Sequence, residues 1–352
     1  MIRVLVVEDS DTVRNLLVEM LQGDPEFQVV GAARNGAEAV MLTRRLRPDV
    51  VSMDIIMPTM DGFDATQQIM NEVPTPIVLV TSNLDPDEVT RSMHAMRLGA
   101  LHVMNKPEGP ESPRFERSVA EYRQTLRTFS QVRVLRHWSG ISPKPPVTSP
   151  SIRRTSRRSD PQVRKIRVVA IATSTGGPAA LQEILGGLPA DFPMPILVVQ
   201  HITPGFISSL AASLRCTTNL GVKVAEDGEP LRPGTIYLAP DGAHLGVKAR
   251  QVSLSESAGI LGFRPSATYL FESVANHYGR SALAVVLTGM GEDGVPGLRR
   301  IREAGGYVLI QDKDSSVVFG MPGAALAAGV VDEEISLRHM ASRLLEVVRD
   351  GQ

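Results

Sequence analysis

A lone cysteine, Cys216, rules out an intrachain disulfide, so nothing in the sequence calls for an oxidising compartment. It sits in "SSLAASLRCTTN", which reads as the end of a helix, where a thiol serves as a small packing residue. Long apolar runs are also missing: none approaches the roughly 20 residues that a membrane-spanning helix needs. The N-terminal run "MIRVLVVEDSD" passes straight into acids, unlike a signal peptide with its small-residue cleavage site. A net charge of -1 gives no global pull toward nucleic acid or an anionic membrane. Short-period repeats of solenoid type are absent as well. These absences predict a soluble, cytoplasmic protein that is not embedded in a membrane.

The 352 residues suit two domains, and 43% hydrophobic residues can bury a core. From "IRVLVVE" to "ALHVMNKP", short β-branched runs alternate five times with stretches at helical spacing, among them "PDEVTRSMHAMRLG". This predicts a (βα)5 unit with a parallel sheet over residues 1–125. Residues 126–165 read as a linker, flexible from about 139, where Pro, Ser and Arg displace apolar residues. Its Arg153, Arg154, Arg157 and Arg158 fit either a solvated tether or a nucleic-acid contact, though no helix-turn-helix is recognisable. Residues 166–352 resume the alternation as a second, doubly wound α/β domain. Short strands over "VKVAEDG", "GTIYLAP", "HLGVK" and "QVSLSE" predict a small antiparallel excursion within it.

Chemistry in parallel α/β sheets collects beyond the C-terminal strand ends. The first half delivers Glu8 and Asp9, then Asp54, Thr81 and Lys106 to such ends. Three convergent carboxylates repel unless a cation sits among them, and hard oxygen donors suit Mg²⁺. Lys106 and the Thr81 hydroxyl would then orient phosphoryl oxygens, and Asp54 would be the nucleophile. At these residues the sequence resembles the receiver domain of bacterial response regulators. The resemblance implies that Asp54 takes phosphate from a histidine kinase. It also implies that Glu8, Asp9, Asp54 and the backbone carbonyl of Ile56 surround Mg²⁺. Many receivers place an aromatic switch residue three positions before the lysine, where Val103 stands here.

The second half opens with "IATSTGGPAALQEIL", a strand, a Gly-rich turn and a helix. That shape fits a phosphate cradle or a serine held on a sharp turn. It lacks the G-x-G-x-x-G spacing, and no Gly-Lys-Ser/Thr follows. Later strands end at His201 and in "LTGMGEDG", which carries Met290 and Asp293. Ser174, His201 and Asp293 thus offer a hydroxyl, an imidazole to take its proton, and a carboxylate to fix the imidazole. Gly176, Gly177, Gly289 and Gly291 would let backbone approach a substrate.

The segments "IATSTGGPAAL", "VVQHITPGF", "GTIYLAPDGAH", "RPSATYLFESVA", "LTGMGEDGVPGL" and "GMPGAAL" resemble the chemotaxis protein-glutamate methylesterases, the CheB family. The resemblance implies hydrolysis of glutamate methyl esters on chemoreceptors and deamidation of receptor glutamines, with no cofactor in the catalytic domain and no nucleic acid as partner. By it Ser174 is the nucleophile, His201 the base, Asp293 its orienter and Thr175 a support for the serine. By the same resemblance, backbone near His201 and Met290 would form the oxyanion hole. The resemblance further implies that the receiver covers the active site until Asp54 is phosphorylated, and the linker arginines are candidates for meeting acidic receptor helices. The family often carries aspartate in the segment matching "RPSAT", where Thr268 stands. That departure is expected to bear on substrate contacts and to leave the triad untouched.

Overall fold

The computed structural model describes residues 1–81, 100–132 and 165–349, with the backbone of Arg153 and Arg154. The helix expected over "PDEVTRSMHAMRLG" and most of the linker, including Arg157 and Arg158, lie outside the described residues. The chain divides into two compact units, Met1–Pro145 and Pro146–Gln352.

In the first unit, β1 (Ile2–Val7), β2 (Phe27–Ala33), β3 (Val50–Asp54), β4 (Ile77–Thr81) and β5 (His102–Asn105) form one sheet. All pairings are parallel and the order is β2-β1-β3-β4-β5. Every residue of β3 and β4 is buried, as expected of apolar runs covered by helices on both faces. The described helices are α1 (Asp11–Gln22), α2 (Gly36–Leu46), α3 (Gly62–Glu72) and α4 (Phe115–Phe129). Their starts follow local chemistry: Ser10, Asn35 and Asp61 each cap a helix by accepting from its first-turn N–H groups. Chain order reverses between β1 and β3, so the crevice at their C-terminal ends opens between Glu8 and Asp54.

α3 can reach that crevice only because residue 62 has no side chain. The Gly62 N–H donates to the Ile55 carbonyl at 2.9 Å. A Cβ at residue 62 would stand 2.1 Å from the Asp54 carbonyl oxygen.

In the second unit, β7 (Val168–Thr173) is central, with β8 (Ile196–Gln200) on one side and β13 (Ala282–Val286) on the other. Beyond β8 come β10 (Thr235–Leu238) and β9 (Gly221–Val224), and beyond β13 come β14 (Tyr307–Gln311) and β15 (Glu333–Ile335). These seven strands are parallel. The expected antiparallel excursion is therefore smaller than the sequence suggested. Only β11 (His244–Lys248) and β12 (Gln251–Ser255) pair antiparallel as a separate ribbon, while β9 and β10 extend the main sheet. Short runs of β-branched residues with Gly and Pro turns do not encode strand direction, which is decided by tertiary packing.

The linker also departs from its expectation at two residues. Arg153–Arg154 is extended (β6) and pairs antiparallel with Glu333 and Glu334 of β15. An edge strand presents unpaired N–H and C=O groups that even a polar segment can satisfy.

Helices α5 (Gly177–Gly186), α6 (Ile207–Arg215), α7 (Ala267–Tyr278), α8 (Val295–Glu303), α9 (Met321–Ala327) and α10 (Leu337–Arg349) cover this sheet. α7 buries Leu270, Phe271 and Val274 in one core with Val168, Ala170 and Ala172 of β7. Leu270, Phe271 and Val274 each contribute roughly 1.5–3 kcal/mol on burial, and together they seat the N-terminus of α7 at the strand ends.

The Gly62→Ala variant is expected to lose about 1–3 kcal/mol through overpacking against the Asp54 loop. Urea unfolding of the full chain, followed at the first unit's transition, measures this. A midpoint equal to that of the parent chain would show that the loop yields without cost.

Candidate active site and acidic pocket

The acidic pocket of the first unit holds Glu8, Asp9 and Asp54, with carboxylate oxygens within 4.8 Å of one another. Glu8 and Asp54 are buried and Asp9 is exposed. Lys106 reaches in from beyond β5, its Nζ 2.7 Å from Glu8 Oε2 and 3.0 Å from Asp54 Oδ2. Its N–H donates to the carbonyl of buried Thr81 at 2.7 Å, which ties the ends of β4 and β5 together. Asp54 Oδ1 accepts from the Ile55 N–H at 2.7 Å. Ile56 follows on the same loop with its side chain exposed.

One ammonium against this acid cluster leaves negative charge uncompensated. Burial pushes the carboxyls of Glu8 and Asp54 above their ordinary range, and Lys106 offsets this only in part. Burial would by itself lower Lys106, but the two carboxylates outweigh it and raise the ammonium. Hard oxygen donors carrying excess negative charge fit a divalent cation such as Mg²⁺. Val103 is buried in β5. Tyr122 of α4 is a buried aromatic whose hydroxyl donates to Ser52 Oγ at 2.8 Å, two residues before Asp54 on β3.

The second unit gathers its polar groups where strand order reverses, at the ends of β7, β8 and β13. Ser174 follows β7, and its N–H donates to the Thr288 carbonyl at 3.1 Å. The Ser174 carbonyl accepts from the Gly177 N–H at 2.9 Å and from Gln200 Nε2 at 2.7 Å. The same Gln200 amide donates to the His201 carbonyl at 2.9 Å, so one buried side chain ties both strand ends together. Thr175 is buried, and its carbonyl accepts from Thr288 Oγ1 at 2.9 Å.

His201 Nε2 lies 3.0 Å from Asp293 Oδ2. Its ring stacks on Phe263 with centroids 4.2 Å apart and planes 6° from parallel. Nδ1 is buried and has no hydrogen-bond partner among the described residues. The structure thus joins His201 to Asp293 and sets Ser174 on the neighbouring strand end, with no hydrogen bond between Ser174 Oγ and the imidazole. Met290 is partly exposed on the loop after β13. Gly289 beside it packs so closely that a Cβ there would stand 2.8 Å from Ser174 Cβ.

Asp293 is itself buried at the N-terminus of α7. It accepts from Ser266 Oγ and Thr268 Oγ1, both at 2.8 Å, from the Ala267 N–H at 2.7 Å and from the Thr268 N–H at 3.1 Å. Burial pushes its carboxyl up, but His201, Thr268 and the Ala267 N–H outweigh burial and hold it at about 2. This corrects one expectation: Thr268 does touch a candidate triad residue, because its hydroxyl donates to the Asp293 carboxylate directly.

The glycines need a correction too. A Cβ at Gly177 would meet Gln200 Oε1 at 2.1 Å, and one at Gly176 would meet Val317 at 2.7 Å. These glycines make room for protein atoms, not for a substrate or a phosphate. Of the four, only Gly291 faces open space.

A CheB methylesterase family model matches residues 169–344 and a response regulator receiver domain model matches residues 4–113. The protein-glutamate methylesterase/protein-glutamine glutaminase 4 of Myxococcus xanthus is 51% identical over 350 residues, covering 99% of this chain and 97% of that protein. Its counterpart 3 of Anaeromyxobacter dehalogenans is 50% identical over 347 residues, covering 98% of each. The chain belongs to the CheB methylesterase family. The crystal structure of the Thermotoga maritima CheB methylesterase catalytic domain matches with a TM-score of 0.51 at 42% identity, covering 52% of this chain and 99% of that one.

Within this CheB chain, sequence reasoning missed Gln200, Thr288, Phe263 and Ser266. Only Gln200 had a signal, being a polar residue ending an apolar strand just before the candidate histidine. The others act across long sequence separations and could not have been read from spacing.

The acidic pocket makes a pH-dependent prediction. A carboxyl raised in the folded state holds its proton more tightly folded than unfolded, so its ionisation weakens the fold as pH rises. Millimolar Mg²⁺ is expected to raise the melting temperature of the first unit near neutral pH, with the gain shrinking as pH falls through the raised carboxyl range. Asp54→Ala is expected to lose most of that gain. Calorimetry with and without Mg²⁺ across pH measures it, and a gain that is the same in acid would count against a cation in this pocket.

Proposed function

We propose that the protein is a phosphorylation-regulated hydrolase that demethylates glutamate methyl esters on chemoreceptors and deamidates receptor glutamines, in adaptation of chemotaxis-type signalling. The observation that carries the triad assignment is the imidazole of His201. Its Nε2 faces a carboxylate, and its buried Nδ1 is left as a bare acceptor next to the strand end that bears Ser174.

In this reading Ser174 Oγ attacks the ester carbonyl carbon while its proton passes to His201 Nδ1. The tetrahedral oxyanion is held by backbone N–H groups near His201 and Met290, at the close approach of the Gly289 loop to Ser174. Collapse breaks the C–O bond, and methanol leaves with the proton from Nδ1. Water then repeats the sequence on the acyl-serine, releasing glutamate and free Ser174. With a glutamine substrate the leaving group is ammonia. Asp293 stays ionised throughout and stabilises the imidazolium. Thr175 supports the serine through its carbonyl bond to Thr288. Hydrogen bonds between a serine and its base are commonly long before substrate binds.

Asp54 is the phosphoacceptor in this reading, with a histidine kinase as donor. Mg²⁺ held by Glu8, Asp9, Asp54 and the Ile56 carbonyl would neutralise phosphoryl oxygens, while Lys106 and Thr81 orient them. No described helix is long and apolar enough to cross a membrane, which fits a cytoplasmic enzyme acting on the cytoplasmic helices of receptors. No cofactor is assigned to the catalytic unit and no nucleic acid to the chain.

Ser174→Ala is expected to abolish methanol release from methylated receptor, by at least about 10³-fold, while Asp54 still takes phosphate from acetyl phosphate. Asp54→Asn is expected to keep only the basal rate. Undiminished methanol release by Ser174→Ala would remove the serine mechanism.

A further inference from the structure

Four hydrogen bonds and the His201 imidazole converge on the Asp293 carboxylate. Its Oδ1 accepts the hydroxyls of Ser266 and Thr268 and the Thr268 N–H, and its Oδ2 accepts the Ala267 N–H and faces His201 Nε2. The direction of the two hydroxyl bonds is not in question. A carboxylate only accepts. Moreover, Ser266 Oγ is already accepting from the N–H groups of Thr268 and Tyr269, and Thr268 Oγ1 from the Gly294 N–H at 2.9 Å. Each hydroxyl has one hydrogen, and each spends it on Oδ1. Ser266 is held in turn by His244, a fully buried imidazole whose Nδ1 lies 3.2 Å from the Ser266 N–H.

With Oδ1 saturated and Oδ2 already bound to Ala267, the carboxylate has one lone-pair direction left, and it points at His201 Nε2. It cannot rotate, and it demands a donor there. The neutral imidazole must therefore carry its proton on Nε2, which leaves Nδ1 bare. A carboxylate free to turn away from Nε2 would hold the ring's tautomer less firmly.

We propose that Thr268 and Ser266 are positioning residues of the reaction, whose hydroxyls lock the Asp293 carboxylate so that His201 is held in the Nε2–H tautomer with Nδ1 open to the Ser174 proton. The proposal rests on the triad reading above. A residue that merely capped α7 would support folding and leave the tautomer alone, because the cap is made by Ser266 accepting N–H groups, whereas the lock is made by the hydroxyls donating.

The test uses the full chain carrying Thr268→Val, which keeps the volume and loses the hydroxyl, and Thr268→Ser, which restores it. Methanol release gives kcat and KM, and ¹⁵N spectra of labelled histidine report the His201 tautomer. Thr268→Val is expected to lower kcat about 10- to 100-fold, with KM within about twofold and a rise in the Nδ1–H tautomer. Thr268→Ser is expected to return both readouts most of the way. Should Thr268→Val not fold, Thr268→Cys, a weak donor of similar size, is expected to show the same direction of change in both. The proposal is overturned if the folded variant keeps the parent kcat, if kcat falls with the tautomer unmoved, or if Thr268→Ser fails as badly as valine. Ser174→Ala and Asp293→Asn run alongside separate the two ideas. Retained activity in those would sink the triad reading, while their loss beside a fully active Thr268→Val would sink only the lock.

Discussion

The parallel backbone ladder around β7 is the constraint on which the catalytic unit depends. β7 pairs with β8 on one side and with β13 on the other, register by register. Parallel pairing sends the C-terminal ends of all three strands to one edge, and the reversal of strand order at β7 opens a crevice there. Ser174, His201 and the loop to Asp293 are the residues that step off this ladder. The first unit repeats the device at β1 and β3, where Glu8, Asp9 and Asp54 stand at the strand ends. Two unrelated chemistries therefore share one solution to bringing distant residues together.

The two sites treat buried negative charge in opposite ways. In the acidic pocket the carboxyls of Glu8 and Asp54 are raised because burial exceeds what Lys106 returns. At Asp293 a comparable burial is more than offset by hydrogen bonds, and the carboxyl is held low, at about 2. The first arrangement is left short of positive charge and suits a divalent cation. The second is closed, and its ionisation needs nothing further from solvent or ligand. A group that must change its bonding partners in each cycle suits the open design, and a group that must only stay put suits the closed one.

What was legible in the sequence follows from what strands and helices encode. Apolar β-branched runs ending in Asp54, Thr81, Ser174 or His201 marked both the sheets and their chemical edges, because parallel strands in α/β folds leave only those ends free. Thr268 was misjudged for the complementary reason. Its partner Asp293 lies 25 positions away, and nothing local says that the first turn of α7 closes over the loop after β13. Gly177 was misjudged because a glycine beside a serine looks alike whether it makes room for substrate or for a neighbouring glutamine. β9 and β10 kept their strand character but not their direction, which depends on the neighbours they find in three dimensions.

Gln200 and Gly177 fit each other as a pair. The glutamine amide bridges the Ser174 and His201 carbonyls, and its Oε1 occupies the space that any side chain at residue 177 would need. Neither position can therefore drift alone. A larger residue at 177 requires space from Gln200 and also from Thr173, whose Oγ1 a Cβ there would meet at 2.5 Å, and a shorter residue at 200 leaves two carbonyls at the active edge without their common donor. Residues coupled through a shared space depart strongly from additivity. For sequences descended from this one, the pair acts as a ratchet: either single change impairs the active edge, by a clash at 177 or a lost donor at 200, so the two residues should be inherited together.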